Sequence, residues 1–216
     1  MGIAWDEDVI MHADGLARCG WCGRDPLYVR YHDTEWGVPE HDGRRLFEKF
    51  VLDTFQAGLS WLTILRRRDG FRRAFAGFDP ALIAGWGEAE TARLMRDAGI
   101  IRNRAKIAAT IANARAVCDL GGTEAFARFL WDFVDGRPRV NHPRSRAEVP
   151  AETPLSRRIA REMKARGFRF CGPVVVQAFI QAVGIVDDHL VGCHRHGDGA
   201  PGGGEAAAEP EREADS

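Results

Sequence analysis

The chain has 216 residues, 45% of them hydrophobic and 28% charged; these are the proportions of a globular protein with one sizeable core, and no apolar run approaches the ~20 residues of a membrane span. Five cysteines is an odd number, and residues 1–17 hold Asp6, Glu7, Asp8 and Asp14 where a leader would be basic and then apolar, which argues against a secreted disulfide scaffold and for a cytoplasmic protein. The net charge of −1 is uneven: 29 of the 30 bases and 25 of the 31 acids precede Gly197, so residues 1–196 carry +4, which permits a nucleic-acid partner without requiring one.

In chain order, residues 1–17 read as a flexible extension. The stretch 18–39 then gathers both tyrosines, two of the six tryptophans, Cys19, Cys22 and His32 between glycines and prolines. Its composition suggests a loop-like segment whose rings either fill a core or line a pocket for something flat. Arg44 to Phe55 reads as a helix, because Leu46, Phe47, Phe50, Val51 and Phe55 recur at helical spacing. Asp53 falls on that apolar stripe and must be buried or face a cavity. Ser60 is a plausible cap for a helix from Trp61 to about Phe75, with Arg66, Arg67, Arg68, Arg72 and Arg73 as a basic face.

Asp79-Pro80 has the cap-then-proline signature of a helix start. Glu88 to Ala98 and Arg102 to Cys118 read as helices separated by a short break at Gly99-Ile100-Ile101. Thr123 to Val134 follows, then a polar loop over 141–152. Thr153-Pro154 opens a helix that ends near Arg166, and Pro173 to Val183 reads as a very apolar, central helix. His189 and Cys193 fall in a final helical turn. Cys118 and Cys171 lie in apolar patterns and are expected in the core. The Gly/Ala/Glu-rich tail, 197–216, reads as acidic and disordered. The architecture expected is an all-α domain over 18–196, with nothing requiring more than a monomer or an obligate protein partner.

Three constellations carry chemistry. His189-x-x-x-Cys193 has chelating i,i+4 spacing on a helix. Cys19, Cys22 and His32 are available partners, and two Cys with two His would make a closed tetrahedral zinc site. A buried cysteine beside an unrelated histidine, or a redox pair at Cys19-x-x-Cys22, are the alternatives. Second, a hairpin at Gly99-Ile100-Ile101 between helices can present amides to a phosphate, with Lys106 downstream. An ordinary helical connection is the bland reading. Third, Trp21, Tyr28, Tyr31, Trp36 and Trp61 with the carboxylate of Asp53 suit a flat, cationic guest such as an N-alkylated purine.

Together these residues resemble the 3-methyladenine DNA glycosylase I family. The marks are Cys19-Gly20-Trp21, Asp25-Pro26-Leu27-Tyr28, Tyr31-His32-Asp33, Glu35-Trp36-Gly37-Val38-Pro39, Gln56-Ala57-Gly58-Leu59-Ser60-Trp61, Asp97-Ala98-Gly99-Ile100-Ile101-Arg102 and Asp188-His189. The resemblance implies a helix–hairpin–helix-superfamily fold and one structural zinc held by Cys19, His32, His189 and Cys193. It implies a base pocket of Trp21, Tyr28, Tyr31, Trp36 and Trp61, and monofunctional excision of N3-methyladenine from double-stranded DNA without lyase chemistry. DNA contacts are expected from Gly99, Ile100, Ile101, Arg102 and Lys106, with Leu59 as a wedge into the vacated stack. One position departs from the family, which places a glutamate where this chain has Asp53. The alternative is a non-catalytic, zinc-stabilised helix–hairpin–helix module that only binds DNA.

Overall fold

The computed structural model describes residues 8–197. The described residues form ten α-helices and four short strands. Helix α2 (Gly43–Gln56) is the hub. Asp42 caps it by accepting from the Arg45 amide, and Leu46, Phe47, Phe50, Val51 and Phe55 are all buried. Around it pack α3 (Trp61–Leu65), α7 (Arg104–Asp119), α8 (Thr123–Trp131) and α10 (Pro173–Ala182). Helix α10, expected to be central, packs between α2 and α9 (Pro154–Ala165), with Val174 exposed at one end. Stacked and edge-to-face phenyl rings of Phe50, Phe55, Phe71, Phe75, Phe126, Phe168 and Phe179 fill the interior.

Two expectations fail for local reasons. The segment after Asp25 is not loop-like: Pro26–Thr34 is helix α1. Asp25 Oδ1 accepts from the amides of Leu27 and Tyr28, and Pro26 fills the first helical position, where no N–H is needed. Replacing Asp25 by alanine removes that cap and its ion pair to Arg66. A loss of about 1 kcal/mol is expected, readable as a lower midpoint in urea with an unchanged slope. The helix expected from Trp61 to Phe75 is two, α3 and α4 (Arg68–Ala74). An unbroken helix would carry Arg68 onto the stripe of Trp61, Ile64 and Leu65. The break turns Arg68 out to Glu35, to which it donates twice.

Helices α5 (Pro80–Ile83) and α6 (Glu88–Leu94) complete the set, the first capped by Asp79 as its cap-then-proline signature predicts. At Gly70 in α4 an added Cβ would lie 2.4 Å from the Gly99 carbonyl oxygen, so α4 and the segment joining α6 to α7 meet backbone to backbone.

Strands β1 (Val9–Met11) and β2 (Ala17–Cys19) form an antiparallel hairpin. The end of the expected flexible extension is therefore paired, and it delivers Cys19 to the interior. Strands β3 (Arg139–Val140) and β4 (Val186–Asp187) pair in parallel and lead into Asp188 and His189. His189 and Cys193 consequently lie in irregular chain after β4 and not on a helix, correcting the i,i+4 reading. Cys171 is buried, whereas Cys118 is exposed at the end of α7. The acidic tail beyond Gly197 lies outside the described residues, as do residues 1–7. No helix of the described residues is long and apolar enough to cross a membrane.

Candidate active site and metal centre

Helix α1 sends its side chains to two places at once. Tyr28, Tyr31 and His32 are spaced i, i+3, i+4 and share one face. Tyr28 and Tyr31 turn toward a cavity of about 420 Å³, while His32 turns toward the end of the chain. All five aromatic residues singled out in the sequence line that cavity: Trp21, Tyr28, Tyr31, Trp36 and Trp61. Trp21 meets Tyr28 and Trp36 edge to face at centroid separations of 5.2 and 5.0 Å, and Tyr31 tilts against Trp61 at 5.3 Å. Such contacts fix the rings relative to one another. Burial pushes the Tyr31 hydroxyl well above its usual pKa and that of Tyr28 up to about 12, so both remain neutral.

Asp53 is 4% exposed and reaches the cavity from α2. It is not the lone anion that the sequence suggests. Lys49, one turn earlier, donates to Asp53 Oδ1 and lies 4.0 Å over the Trp61 ring. Burial raises the Asp53 pKa and lowers that of Lys49, while each supports the charge of the other. Two buried polar atoms of the wall have no hydrogen-bond partner among the described residues, Asp53 Oδ2 and Trp61 Nε1. An unpartnered buried acceptor costs about 1–3 kcal/mol, and a guest with matching groups recovers it.

A further part of the wall carries no mark in the sequence. Val174, Gln177, Ala178 and Gln181 of α10 line the cavity at i, i+3, i+4 and i+7. Gln177 and Gln181 donate to Asp188 Oδ2 at 3.5 and 2.6 Å, and Asn141 donates to Asp188 Oδ1 at 2.7 Å. The available signal was two glutamines one turn apart in an otherwise apolar helix.

Beside the cavity, Cys19 Sγ, His32 Nε2 and Cys193 Sγ lie within 4.8 Å of one another, all buried. Cys193 Sγ is 3.4 Å from His32 Nε2. The His189 ring sits edge-on to His32 at a centroid separation of 5.1 Å, and its Nε2 is buried without a partner. In both histidines Nδ1 is held by a carboxylate: His32 by Asp33 at 2.8 Å, His189 by Asp187 at 2.7 Å. Burial alone would raise these two carboxyls. Hydrogen bonds from Arg18 and His32 hold Asp33 below its ordinary value, and those of His189 do the same for Asp187. An ionised carboxylate on Nδ1 fixes that proton and leaves the Nε2 lone pair free to ligate. Cys22 does not join the group. Gly37 makes room for it: a Cβ there would lie 2.5 Å from His189 Cε1.

The expected DNA-contacting residues divide. Leu59 is 42% exposed in the turn between α2 and α3, next to the cavity residues Gln56 and Trp61. The amides of Ile100, Ile101 and Arg102 have no acceptor among the described residues. The Gly99 amide, in contrast, donates to Asp97 Oδ1 at 2.7 Å. Lys106 is 7% exposed, and its ammonium donates to the carbonyls of Phe55 and Ala57 at 3.0 and 2.8 Å. That geometry makes Lys106 a brace for the Leu59 turn and removes its side chain from phosphate contact. Carbonyls at the end of α2 lack intrahelical partners, which explains the attraction. Of the five arginines expected as a basic face, Arg66, Arg68 and Arg72 are paired with Asp25, Glu35 and Glu48.

Comparison with known proteins converges on one family. The model of the methyladenine glycosylase family matches residues 21–196. The chain is 46% identical over 179 residues to DNA-3-methyladenine glycosylase 1 of Escherichia coli, covering 82% of this chain and 96% of the relative. It is 43% identical over 177 residues to DNA-3-methyladenine glycosylase of Haemophilus influenzae, with the same coverage. A crystal structure of 3-methyladenine DNA glycosylase I matches with a TM-score of 0.80 at 48% identity, over 83% of this chain and 99% of that one. A Staphylococcus aureus structure addressing 3-methyladenine recognition matches with a TM-score of 0.76 at 33% identity, over 79% and 92%. With the aromatic cavity, the buried carboxylate and the family match lying over the same residues, the chain belongs to the methyladenine glycosylase family.

Proposed function

We propose that this protein excises N3-methyladenine from double-stranded DNA by hydrolysing the bond between C1′ and the base, leaving an abasic site. The observation that carries the proposal is the cavity itself, with five aromatic side chains around the unpartnered Asp53 Oδ2. A purine must leave the stack to reach it, at a few kcal/mol of unpairing and unstacking, least for a base that no longer pairs. The alkylated base carries a positive charge. In a water-poor cage of rings that charge gains about 2 kcal/mol that neutral adenine does not. When the C1′–N bond breaks, its electron pair stays with the base, which departs neutral. Water then adds to C1′ and releases a proton. Because the cationic base is a good leaving group, recognition carries the selectivity.

Asp53 Oδ2 is assigned to accept from the exocyclic amine. The α6–α7 connection is read as a helix–hairpin–helix element whose free amides at Ile100, Ile101 and Arg102 grip phosphate. Leu59 is read as the wedge that fills the gap left by the extruded nucleotide. Cys19, His32, His189 and Cys193 are read as the ligands of one zinc ion, which when bound supplies rigidity and no chemistry. Three of these donors already lie together; His189 stands outside that group, and its inclusion is supported by its buried, unpartnered Nε2 and by its ring contact with His32.

Release of free 3-methyladenine from methylated duplex DNA tests the proposal; no release above background at high enzyme concentration sinks it. Leu59→Ala should lower kcat/KM on duplex about tenfold or more, the order of losing a buried apolar side chain, while leaving affinity for free 3-methyladenine unchanged. Equal loss of both would place Leu59 in the base cavity and not in the stack.

A further inference from the structure

Lys49 stands one helical turn before Asp53 on α2, and both side chains line the cavity. The Lys49 ammonium donates to Asp53 Oδ1 and faces the Trp61 ring at 4.0 Å. Among the described residues Nζ has no second acceptor. An ammonium has three N–H donors, so donor capacity is left at the cavity wall. Next to it, Asp53 Oδ2 is buried and lacks a donor. The two residues thus present an unfilled acceptor and an unspent donor side by side, at no net charge. A carboxylate alone would present only acceptors.

Adenine carries a complementary pattern. Its 6-amino group is a donor, with a ring-nitrogen acceptor on either side, N7 on one edge and N1 on the other. We propose that Lys49 is a substrate-binding residue: as Asp53 Oδ2 accepts from the 6-amino group, Lys49 Nζ donates to the ring nitrogen beside it. This rests on the base-excision reading of the cavity. Two consequences follow for the reaction. The ion pair cancels the charge of Asp53, so attraction of a cationic base falls to the rings. A hydrogen bond from Lys49 also strengthens as the base takes the electron pair of the breaking C1′–N bond, which favours the transition state over the bound substrate.

The alternative role for Lys49 is to neutralise Asp53 without touching the base. Binding of free 3-methyladenine to the full-length protein, followed by tryptophan fluorescence, separates the two when compared with the 7-deaza and 1-deaza forms of the same base. The wild type should bind one of these analogues about tenfold or more weakly than the parent, the loss expected for a hydrogen bond to a charged group. The analogue affected identifies the nitrogen. Lys49→Met should bind that analogue and the parent equally, and Lys49→Gln, which keeps an N–H donor, should recover part of the difference. Wild-type affinities within twofold for all three bases overturn the proposal, as does a difference that persists undiminished in Lys49→Met. If the wild type binds no 3-methyladenine and also releases none from alkylated DNA, the base-excision reading fails and the proposal fails with it.

Discussion

Cys193→Ser should purify without zinc and melt on the order of 10 °C or more below the wild type. The structural argument is the distance in sequence that the site closes. Cys19 enters on β2 and His32 on α1, while His189 and Cys193 come from the irregular segment after β4. A metal bound by all four ties the two ends of the described chain together. Structural zinc is worth about 10–16 kcal/mol in peptides that fold only with it. Here most of the core forms independently around α2, so only part of that is at stake. A loss of several kcal/mol, at about 2–4 °C per kcal/mol for a domain of this size, gives the expected shift. Metal analysis should read about one zinc per chain in the wild type and near none in the variant. Activity should fall with the metal, because His32 shares its helix face with Tyr28 and Tyr31, and Trp21 packs on His32 at 5.3 Å. Cys118→Ser is the control, since that thiol is exposed and lies outside the cluster. Wild-type protein that is equally stable after chelation and carries no zinc as purified would show that these residues hold no structural metal.

Asp53→Asn should lose about a hundredfold or more in kcat/KM for 3-methyladenine release. Two effects combine. The variant replaces a charged acceptor by a neutral amide at the position assigned to the 6-amino group, a change worth about 1.5–3 kcal/mol. It also leaves the Lys49 ammonium without its counter-charge, and breaking a buried pair from one side costs about 3–5 kcal/mol. Part of that second cost appears as lower stability, so thermal midpoints must be measured beside the kinetics. Asp53→Glu keeps charge and acceptor, and should retain more activity than Asp53→Asn. Single-turnover release on methylated duplex gives the ratio, and Asp53→Asn within twofold of wild type would reduce Asp53 to a packing residue.

Much of the site was visible in the chain. The five rings and Asp53 were identifiable because aromatic side chains crowded among glycines and prolines, and a carboxylate on an apolar stripe, both need a special environment. For the metal, residue chemistry alone left Cys19, Cys22 and His32 open as partners of His189 and Cys193; the family resemblance supplied the set of four, and packing brings Cys19, His32 and Cys193 together. Even the missed helix α1 was announced by Asp25-Pro26, the same cap-then-proline signal that correctly marked Asp79-Pro80 and Thr153-Pro154.

What the sequence determined by itself was local and chemical: where most helices begin, which face of α2 is apolar, which residue types bind metal or rings, and which family the chain resembles. Partnership was decided only by the tertiary structure. Lys49 and Lys106 are both lysines within helical patterns, yet one ends beside a buried carboxylate in the cavity and the other on the carbonyls at the end of α2. Gln177 and Gln181 became pocket residues because α10 turns that face toward Asp188. A side chain's charge and hydrogen-bonding groups are fixed by its identity, but the group that answers them lies up to 51 residues away in the case of Lys106, and only packing brings the two together.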